Sequence, residues 1–125
     1  SPIEPALRSL ITVRVSQVNW CAFCVDINSA TGLKRGVSDA QLAALAEFET
    51  SPLFDERQKA ALAYAEAITR TDVGVDDALM ARVKACFDDN AVIELTALIA
   101  FQNMSSKFNS ALDVAPQGFC RLPQK

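Results

Sequence analysis

The sequence has no histidine among its 125 residues, and this absence excludes several kinds of functional site. A Ser-His-Asp triad, a Cys-His dyad and a zinc site with imidazole ligands each require histidine, and so does an imidazole general base. This chain can take part in such a site only where a partner chain supplies the missing residue.

Glycine and proline are also scarce, with 4 and 5 residues respectively, whereas alanine is abundant. This composition favours helices over a turn-rich β fold. There is no excess of basic charge either, because 12 lysines and arginines stand against 15 aspartates and glutamates. Nucleic-acid-binding proteins usually carry a basic surface, so we expect no nucleic-acid partner.

Long apolar runs are missing as well, and none approaches the roughly 20 residues that a membrane span requires. No signal-peptide pattern is present, so we predict a cytoplasmic protein without a membrane partner. The first residue is Ser1 rather than Met, so the sequence leaves open whether a segment precedes it and whether the protein is secreted. Half of the residues are hydrophobic, enough for one domain over residues 1–125, with an irregular tail at 113–125.

Hydrophobic periodicity predicts an all-α fold of six helices. They are expected at about residues 4–17, 19–33, 38–48, 55–70, 76–87 and 91–112. We expect Asn19 to cap the second helix, which places Trp20 and Cys21 in its first turn. Trp20 and Tyr64 are expected to be packing residues, with Trp20 shielding Cys21 from solvent.

The motif that carries chemistry is Cys21-Ala22-Phe23-Cys24. A spacing of three residues on a helix brings both sulfurs to one face, within reach of a disulfide. At a helix start, the unpaired amides of the first turn stabilise a thiolate and raise the reactive fraction of the thiol. Asn28 falls on the same face, four residues after the second cysteine. The pattern therefore favours a redox-active pair.

Other interpretations of the cysteines stay open at this point. The pair is half of a zinc site if a second pair completes it, but Cys86 and Cys120 are single and far apart in sequence. The pair is inert if both thiols are simply buried. A thioredoxin-like fold is excluded because it needs strands around the motif. Cys86 lies on an apolar stripe and is expected in the core, whereas Cys120 in the tail is expected to have no role.

Residues 13–26, with the sequence VRVSQVNWCAFCVD, resemble the redox core of the carboxymuconolactone decarboxylase superfamily in its alkylhydroperoxidase D-like (AhpD-like) branch. Residues 55–69 resemble the next block of this family, and residues 93–96 and 101–109 resemble its closing helix. The resemblance spans most of the chain, from about residue 7 to about residue 112.

The resemblance implies an AhpD-like helical domain that assembles as a homo-oligomer, often a trimer or hexamer. In family members with the intact motif, the second cysteine, here Cys24, attacks a hydroperoxide and becomes a sulfenic acid. The first, here Cys21, resolves it as a disulfide. A dithiol partner, such as a lipoylated or thioredoxin-like protein, then reduces the disulfide. This chemistry needs no cofactor and no metal.

The chain departs from the family pattern at the two proton-relay positions. The family has a glutamate twelve residues before the first cysteine and a histidine four after the second, where this chain has Ser9 and Asn28. Asn28 can hydrogen-bond a water or a sulfur but takes no proton near neutral pH. Glu66, within an apolar run, is the best replacement, unless it forms an ordinary surface pair with Arg70.

The candidate catalytic residues are therefore Cys21, Cys24, Asn28 and Glu66. The leading hypothesis is a thiol-dependent peroxidase, an antioxidant oxidoreductase with a peroxide as acceptor. The alternative is a thiol–disulfide oxidoreductase or redox sensor without efficient peroxidase activity, which the missing relay favours. A lyase of the carboxymuconolactone decarboxylase type is disfavoured, because members of that branch typically lack the cysteine pair.

Overall fold

The computed structural model describes residues 1–120, and these form six α-helices and one short 3₁₀ helix. The α-helices are α1 (Pro5–Val18), α2 (Ala22–Lys34), α3 (Asp39–Ala44), α4 (Glu56–Thr69), α5 (Asp77–Cys86) and α6 (Asp89–Ala111). The 3₁₀ helix, Leu45–Glu47, follows α3 directly. No strand occurs within residues 1–120, so the predicted all-α class and the number of helices are confirmed.

Short polar side chains fix where the later helices begin. Ser38 and Asp55 each form a complete capping box, in which the side chain accepts a first-turn amide and a glutamine three residues on bonds back. Asp76 and Asp88 cap α5 and α6 by accepting a backbone N–H from the third residue of each helix. These local signals explain why the predicted starts of α3, α4 and α5 agree closely with the structure.

Helix α1 lies between the two clusters of the hydrophobic core. One side of α1 contributes Leu7, Ile11 and Val15 to a cluster shared with α4, α5 and α6. Another side contributes Leu10 and Val13 to a cluster shared with α3, its following turn and α4. Because α1 is buried on both sides, its C-terminal end is held in a fixed position, and the cysteine pair follows directly after that end.

The junction between α1 and α2 differs from the prediction. Asn19 ends α1 instead of capping α2, and Trp20 adopts a left-handed backbone conformation with φ 57°. The Trp20 N–H donates to the carbonyl of Gln17 at 3.2 Å, and the Cys21 N–H donates to the carbonyl of Ser16 at 3.0 Å. These two bonds form a Schellman motif. The chain therefore reverses at Trp20, and α2 begins at Ala22 with Cys21 as its N-cap.

Small residues let α2 pack closely against α1. Gly32 of α2 faces Ser9 of α1, and a Cβ atom placed on Gly32 would lie 3.3 Å from the Ser9 Cβ. Ser9 is buried, and its hydroxyl accepts a hydrogen bond from the Arg35 guanidinium at 3.3 Å. The close packing holds α2, which carries the cysteine pair at its start, against α1.

After α6, the chain turns back and runs along α2 without regular structure. Asp113, with φ 53°, ends α6 in a second Schellman motif, in which the Val114 N–H donates to the carbonyl of Asn109. Residues 113–120 are irregular, as predicted, and the rest of the predicted tail lies outside the described residues. Within the described part of the chain, no helix combines the length and apolarity needed to cross a membrane.

Candidate functional site

Cys21 and Cys24 lie at the start of α2, and their sulfurs are joined as a disulfide. Their Cα atoms are 5.2 Å apart, within the usual range for disulfides. The Cys21 sulfur is also the helix cap, because it accepts the backbone N–H of Cys24 at 3.2 Å. The start of the helix thus gives one sulfur of the pair a hydrogen-bond donor that would stabilise a thiolate.

The second sulfur has a donor from a distant part of the chain. The side-chain amide of Asn109, on the last turns of α6, lies 3.7 Å from the Cys24 sulfur. The same amide group reaches Ser105 at 3.4 Å, which helps fix its orientation. Sequence reasoning missed Asn109, because 85 residues separate it from Cys24 and no local pattern links the two.

Both cysteines are buried, with 1% of Cys21 and 2% of Cys24 exposed. Cys21 nevertheless lines a cavity of about 240 Å³ at the surface. One wall of this cavity is the α1–α2 junction, and the other is formed by the end of α6 and residues 113–116. A small molecule entering the cavity would therefore lie beside Cys21 and Asn109.

Uncharged polar groups surround Asn28. Its side-chain N–H donates to the Ser16 hydroxyl at 3.3 Å, and Gln102 of α6 donates to the same hydroxyl at 3.2 Å. Gln102 also donates to Ser106 at 2.8 Å, and the Ser16 hydroxyl donates to the Thr12 carbonyl. This network orients Asn28, but none of its side chains exchanges a proton near neutral pH.

Glu66 lies on α4 and forms an ion pair with Arg14 of α1, with Oε2 2.6 Å from the Arg14 Nε. The alternative pairing with Arg70 is therefore wrong, since Arg70 ends α4 with an exposed side chain. The Glu66 and Arg14 side chains are 24% and 15% exposed, so solvent screens the pair only in part. Arg14 lines a wider cavity beside the first, and Trp20 borders both. No hydrogen bond within residues 1–120 joins Glu66 to a cysteine, so its role as a proton acceptor stays a prediction.

A buried carboxylate that the sequence analysis did not single out holds the end of the chain against α2. Asp26 is 1% exposed and accepts the backbone N–H groups of Gln117 at 3.0 Å, Phe119 at 2.9 Å and Cys120 at 2.7 Å. Burial raises the pKa of Asp26, but the amide donors from Cys120, Phe119 and Gln117 outweigh burial, so the pKa lies below its usual value. The signal in the sequence was an acidic residue between the apolar Val25 and Ile27.

Other expectations had mixed outcomes. Tyr64 is buried, as expected, and its hydroxyl lies 2.7 Å from that of Thr96. The expected packing of Trp20 is wrong, because the left-handed turn points its side chain outward and leaves it 87% exposed. Cys86 packs beside the first core cluster, and Cys120 is buried through its contact with Asp26.

The zinc alternative finds no site in the described part of the chain. Residues 1–120 contain no group of three or more histidine, cysteine, aspartate or glutamate side chains placed to hold a metal ion. The two remaining cysteines do not complete a cluster with the pair. Zinc usually needs four such ligands, so a Cys-x-x-Cys pair alone is insufficient.

The fold and the site define the class of the protein: an all-helical protein with a buried redox-capable cysteine pair at a helix start. The carboxymuconolactone decarboxylase family matches residues 1–67. The uncharacterised protein YnjA of Escherichia coli is 49% identical over 125 residues, which cover 100% of this chain and 69% of YnjA. The chain therefore belongs to the carboxymuconolactone decarboxylase family.

Solved structures place the chain in the AhpD-like branch of that family. A protein of unknown function from Agrobacterium tumefaciens, provisionally assigned to antioxidant defence as an AhpD, has a TM-score of 0.85 and 25% identity. That match covers 88% of this chain and 76% of the other. The debrominase Bmp8 has a TM-score of 0.86 and 26% identity, over 97% of this chain and 65% of Bmp8.

Proposed function

We propose that the protein is a thiol-dependent peroxidase that uses Cys21 and Cys24 as a redox pair. The observation that carries the proposal is the pair itself, bonded at a helix start with a hydrogen-bond donor on each sulfur. Membership of the AhpD-like branch supports it. Two thiols, a hydroperoxide and a dithiol reductant complete the reaction without a metal or an organic cofactor.

The proposed cycle has three balanced steps. The Cys24 thiolate attacks the terminal oxygen of a hydroperoxide, the O–O bond breaks, and the alcohol leaves after taking a proton. The resulting sulfenic acid reacts with the Cys21 thiol, which forms the disulfide and releases water. A dithiol reductant, such as a lipoylated or thioredoxin-like protein, then exchanges with the disulfide and is itself oxidised to a disulfide.

The surroundings of the two sulfurs fit this division of roles. Cys21 lines the cavity and Cys24 is not among the lining residues, so we assign the attack of the reductant thiolate to Cys21. When the reductant thiolate attacks Cys21, Cys24 becomes the leaving thiolate, and the Asn109 amide lies beside the Cys24 sulfur. Asn28 is proposed to keep the neutral network in place, and Glu66, paired with Arg14, to accept protons.

The proposal is tested by steady-state turnover of cumene hydroperoxide with dihydrolipoamide as reductant. Turnover is expected in the wild-type protein and is expected to be lost in Cys21→Ser and in Cys24→Ser. Cys86→Ser is the matched control, because that thiol lies outside the site. Turnover that persists in both variants of the pair would refute the assignment.

The second candidate is a thiol–disulfide oxidoreductase or redox sensor, and the uncharged network around Asn28 favours it. General acid–base assistance is typically worth about 10²–10⁴-fold, and this network has no group to supply it. In that case the disulfide exchanges with dihydrolipoamide while peroxide turnover stays at background. A brominated pyrrole belongs in the same assay, since Bmp8 is a debrominase, and release of bromide would redirect the assignment.

We also propose that the protein assembles as a homo-oligomer, a trimer or hexamer, through α6. Large apolar side chains lie on one face of this helix and its C-cap, at spacings of eight, three, four and four residues, and each is 62–68% exposed: Ile93, Phe101, Met104, Phe108 and Leu112. The stripe is about 28 Å long, and the two charged side chains of α6 nearest to it have partners elsewhere, Glu94 in Arg8 and Lys107 in Asn19. An uncharged apolar stripe is complementary to itself, so a second copy of this chain is the proposed occupant.

Light scattering after gel filtration tests this assembly. The wild-type protein is expected to give the mass of a multiple of the chain, and the double variant Phe101→Glu/Met104→Glu is expected to give the mass of one chain. Val73→Glu is the control, because Val73 is equally exposed but lies between α4 and α5. A monomeric wild-type protein would refute the proposal.

A further inference from the structure

The disulfide between Cys21 and Cys24 has little room around it for an attacking thiol. The two residues are 1% and 2% exposed, and of the two it is Cys21 that lines a cavity. A thiolate attacks a disulfide in line with the S–S bond and forms a mixed disulfide before the second thiol completes the exchange. Both the attack and the mixed disulfide need space beside Cys21, so a wall of the cavity has to move before a carrier-bound dithiol can react.

One wall of this cavity belongs to residues 113–120, which we call the strap. Its first four residues, Asp113 to Pro116, line the cavity together with Cys21. The strap has no helical structure, and Cys120 is the one residue in it that is buried. Because the strap buries little apolar surface, packing contributes little to holding it in place.

A single carboxylate on α2 holds the strap. In the part of the chain that the structure describes, every hydrogen bond that joins residues 115–120 to a helix ends on Asp26. Its oxygens accept the N–H groups of Gln117 at 3.0 Å, Phe119 at 2.9 Å and Cys120 at 2.7 Å. Since the three bonds share one acceptor group, they are lost together when the strap leaves, and water can then replace the three donors on the carboxylate.

We propose that the strap is a gate over the cysteine pair, held closed by Asp26, and that it opens before a dithiol reductant reaches Cys21. This inference rests on the proposed redox function of the pair and concerns the regulation of that site. With the strap open, a thiolate of the reductant bonds to Cys21, the S–S bond breaks, and Cys24 leaves as a thiolate. The second thiol of the reductant then displaces Cys21, so the reductant ends as a disulfide and its two protons end on the two cysteines.

Gly118→Ala is expected to loosen the strap without changing the pair. Gly118 has φ 76°, and a Cβ atom placed on it would have no atom within 4 Å, so alanine adds backbone strain but no clash. Alanine also makes the open strap less flexible, and the net effect is about threefold more open strap, which corresponds to about 0.7 kcal/mol. Gly74→Ala is the matched control, because Gly74 has φ 74° and equally open surroundings but lies between α4 and α5.

Two rates are measured on the oxidised proteins in the absence of peroxide. The first is the rate at which excess dihydrolipoamide reduces the disulfide. The second, without reductant, is the rate at which iodoacetamide alkylates Cys120, which is buried while the strap is closed and is told apart from Cys86 by peptide mass. Both rates are expected to rise together, about threefold in Gly118→Ala and at least tenfold in Asp26→Asn, and to stay at the wild-type values in Gly74→Ala.

The comparison of the two rates decides the matter. Wild-type rates in both strap variants, or a variant in which one rate rises and the other does not, would overturn the inference. An equal rise in Gly74→Ala would also overturn it, because the effect would then come from a general loss of stability. Absence of peroxide turnover would refute the peroxidase proposal but leave the gate standing, since neither rate involves peroxide.

Discussion

Replacing Trp20 by glycine should stabilise the folded protein. At φ 57°, a residue with a Cβ atom is disfavoured by about 1–2 kcal/mol, and glycine avoids this penalty. Glycine in turn makes the unfolded chain more flexible, which costs about 0.5–1 kcal/mol. The indole is 87% exposed, and a realistic unfolded chain buries a comparable fraction, so loss of the side chain adds little. At the middle of these two ranges, the net gain is about 0.7 kcal/mol.

The matched variant is Trp20→Ala, which removes the same indole but keeps the Cβ atom in the left-handed turn. We expect Trp20→Gly to be more stable than Trp20→Ala by about 0.7 kcal/mol, because the glycine variant loses the Cβ penalty and gains the flexibility cost. Both are compared with wild type by urea unfolding of the oxidised proteins at one protein concentration. Equal stability of the two variants, or a less stable glycine variant, would show that the turn is not strained and would refute this reasoning.

Four further predictions concern the site and the Asp26 anchor beside it. Asn109→Ala should slow the reaction of the Cys24 thiol with iodoacetamide at pH 7 about tenfold in a Cys21→Ser background, because the thiolate loses an N–H donor; an unchanged rate would exclude Asn109 as a donor. Asp26→Asn should make Cys120 react with a thiol reagent, because an amide N–H replaces one acceptor oxygen, while the wild-type thiol stays protected. Folding lowers the pKa of Asp26, so the contribution of its carboxylate to stability should be complete above the unfolded-state pKa and be lost as the pH falls through the folded-state pKa. The stabilities of wild type and Asp26→Asn should therefore converge at low pH in acid unfolding experiments. A difference in stability that stays constant with pH would contradict this prediction. Asn28→His should speed oxidation by peroxide at least tenfold, toward the about 10²–10⁴-fold typical of acid–base assistance, and no gain in stopped-flow measurements would show that proton transfer is not limiting.

The helices and the cysteine pair could be predicted because their signals are local. Ser38 and Asp55, each with a glutamine three residues on, define helix starts by contacts within one turn. The spacing of Cys21 and Cys24 likewise fixes their distance once they lie at a helix start.

The rest of the site depends on contacts between distant residues. The partners of Asp26 lie more than 90 residues further along the chain, and Asn109 reaches Cys24 from α6. The left-handed turn at Trp20 had no signature, because glycine or asparagine usually occupies such a position. Because this turn was not predicted, the predicted start of α2 lies two residues too early, and the indole was wrongly expected to be packed.

The central claim is that Cys24 and Cys21 act in sequence on a hydroperoxide, and stopped-flow oxidation of the reduced protein tests it most directly. Wild type, Cys21→Ser and Cys24→Ser are each mixed with cumene hydroperoxide and with hydrogen peroxide. The account predicts oxidation far faster than that of a free thiol, which ends in a disulfide in wild type, stops at a sulfenic acid in Cys21→Ser, and is lost in Cys24→Ser. A wild-type rate no faster than that of a free thiol would contradict the account and leave a disulfide oxidoreductase or sensor.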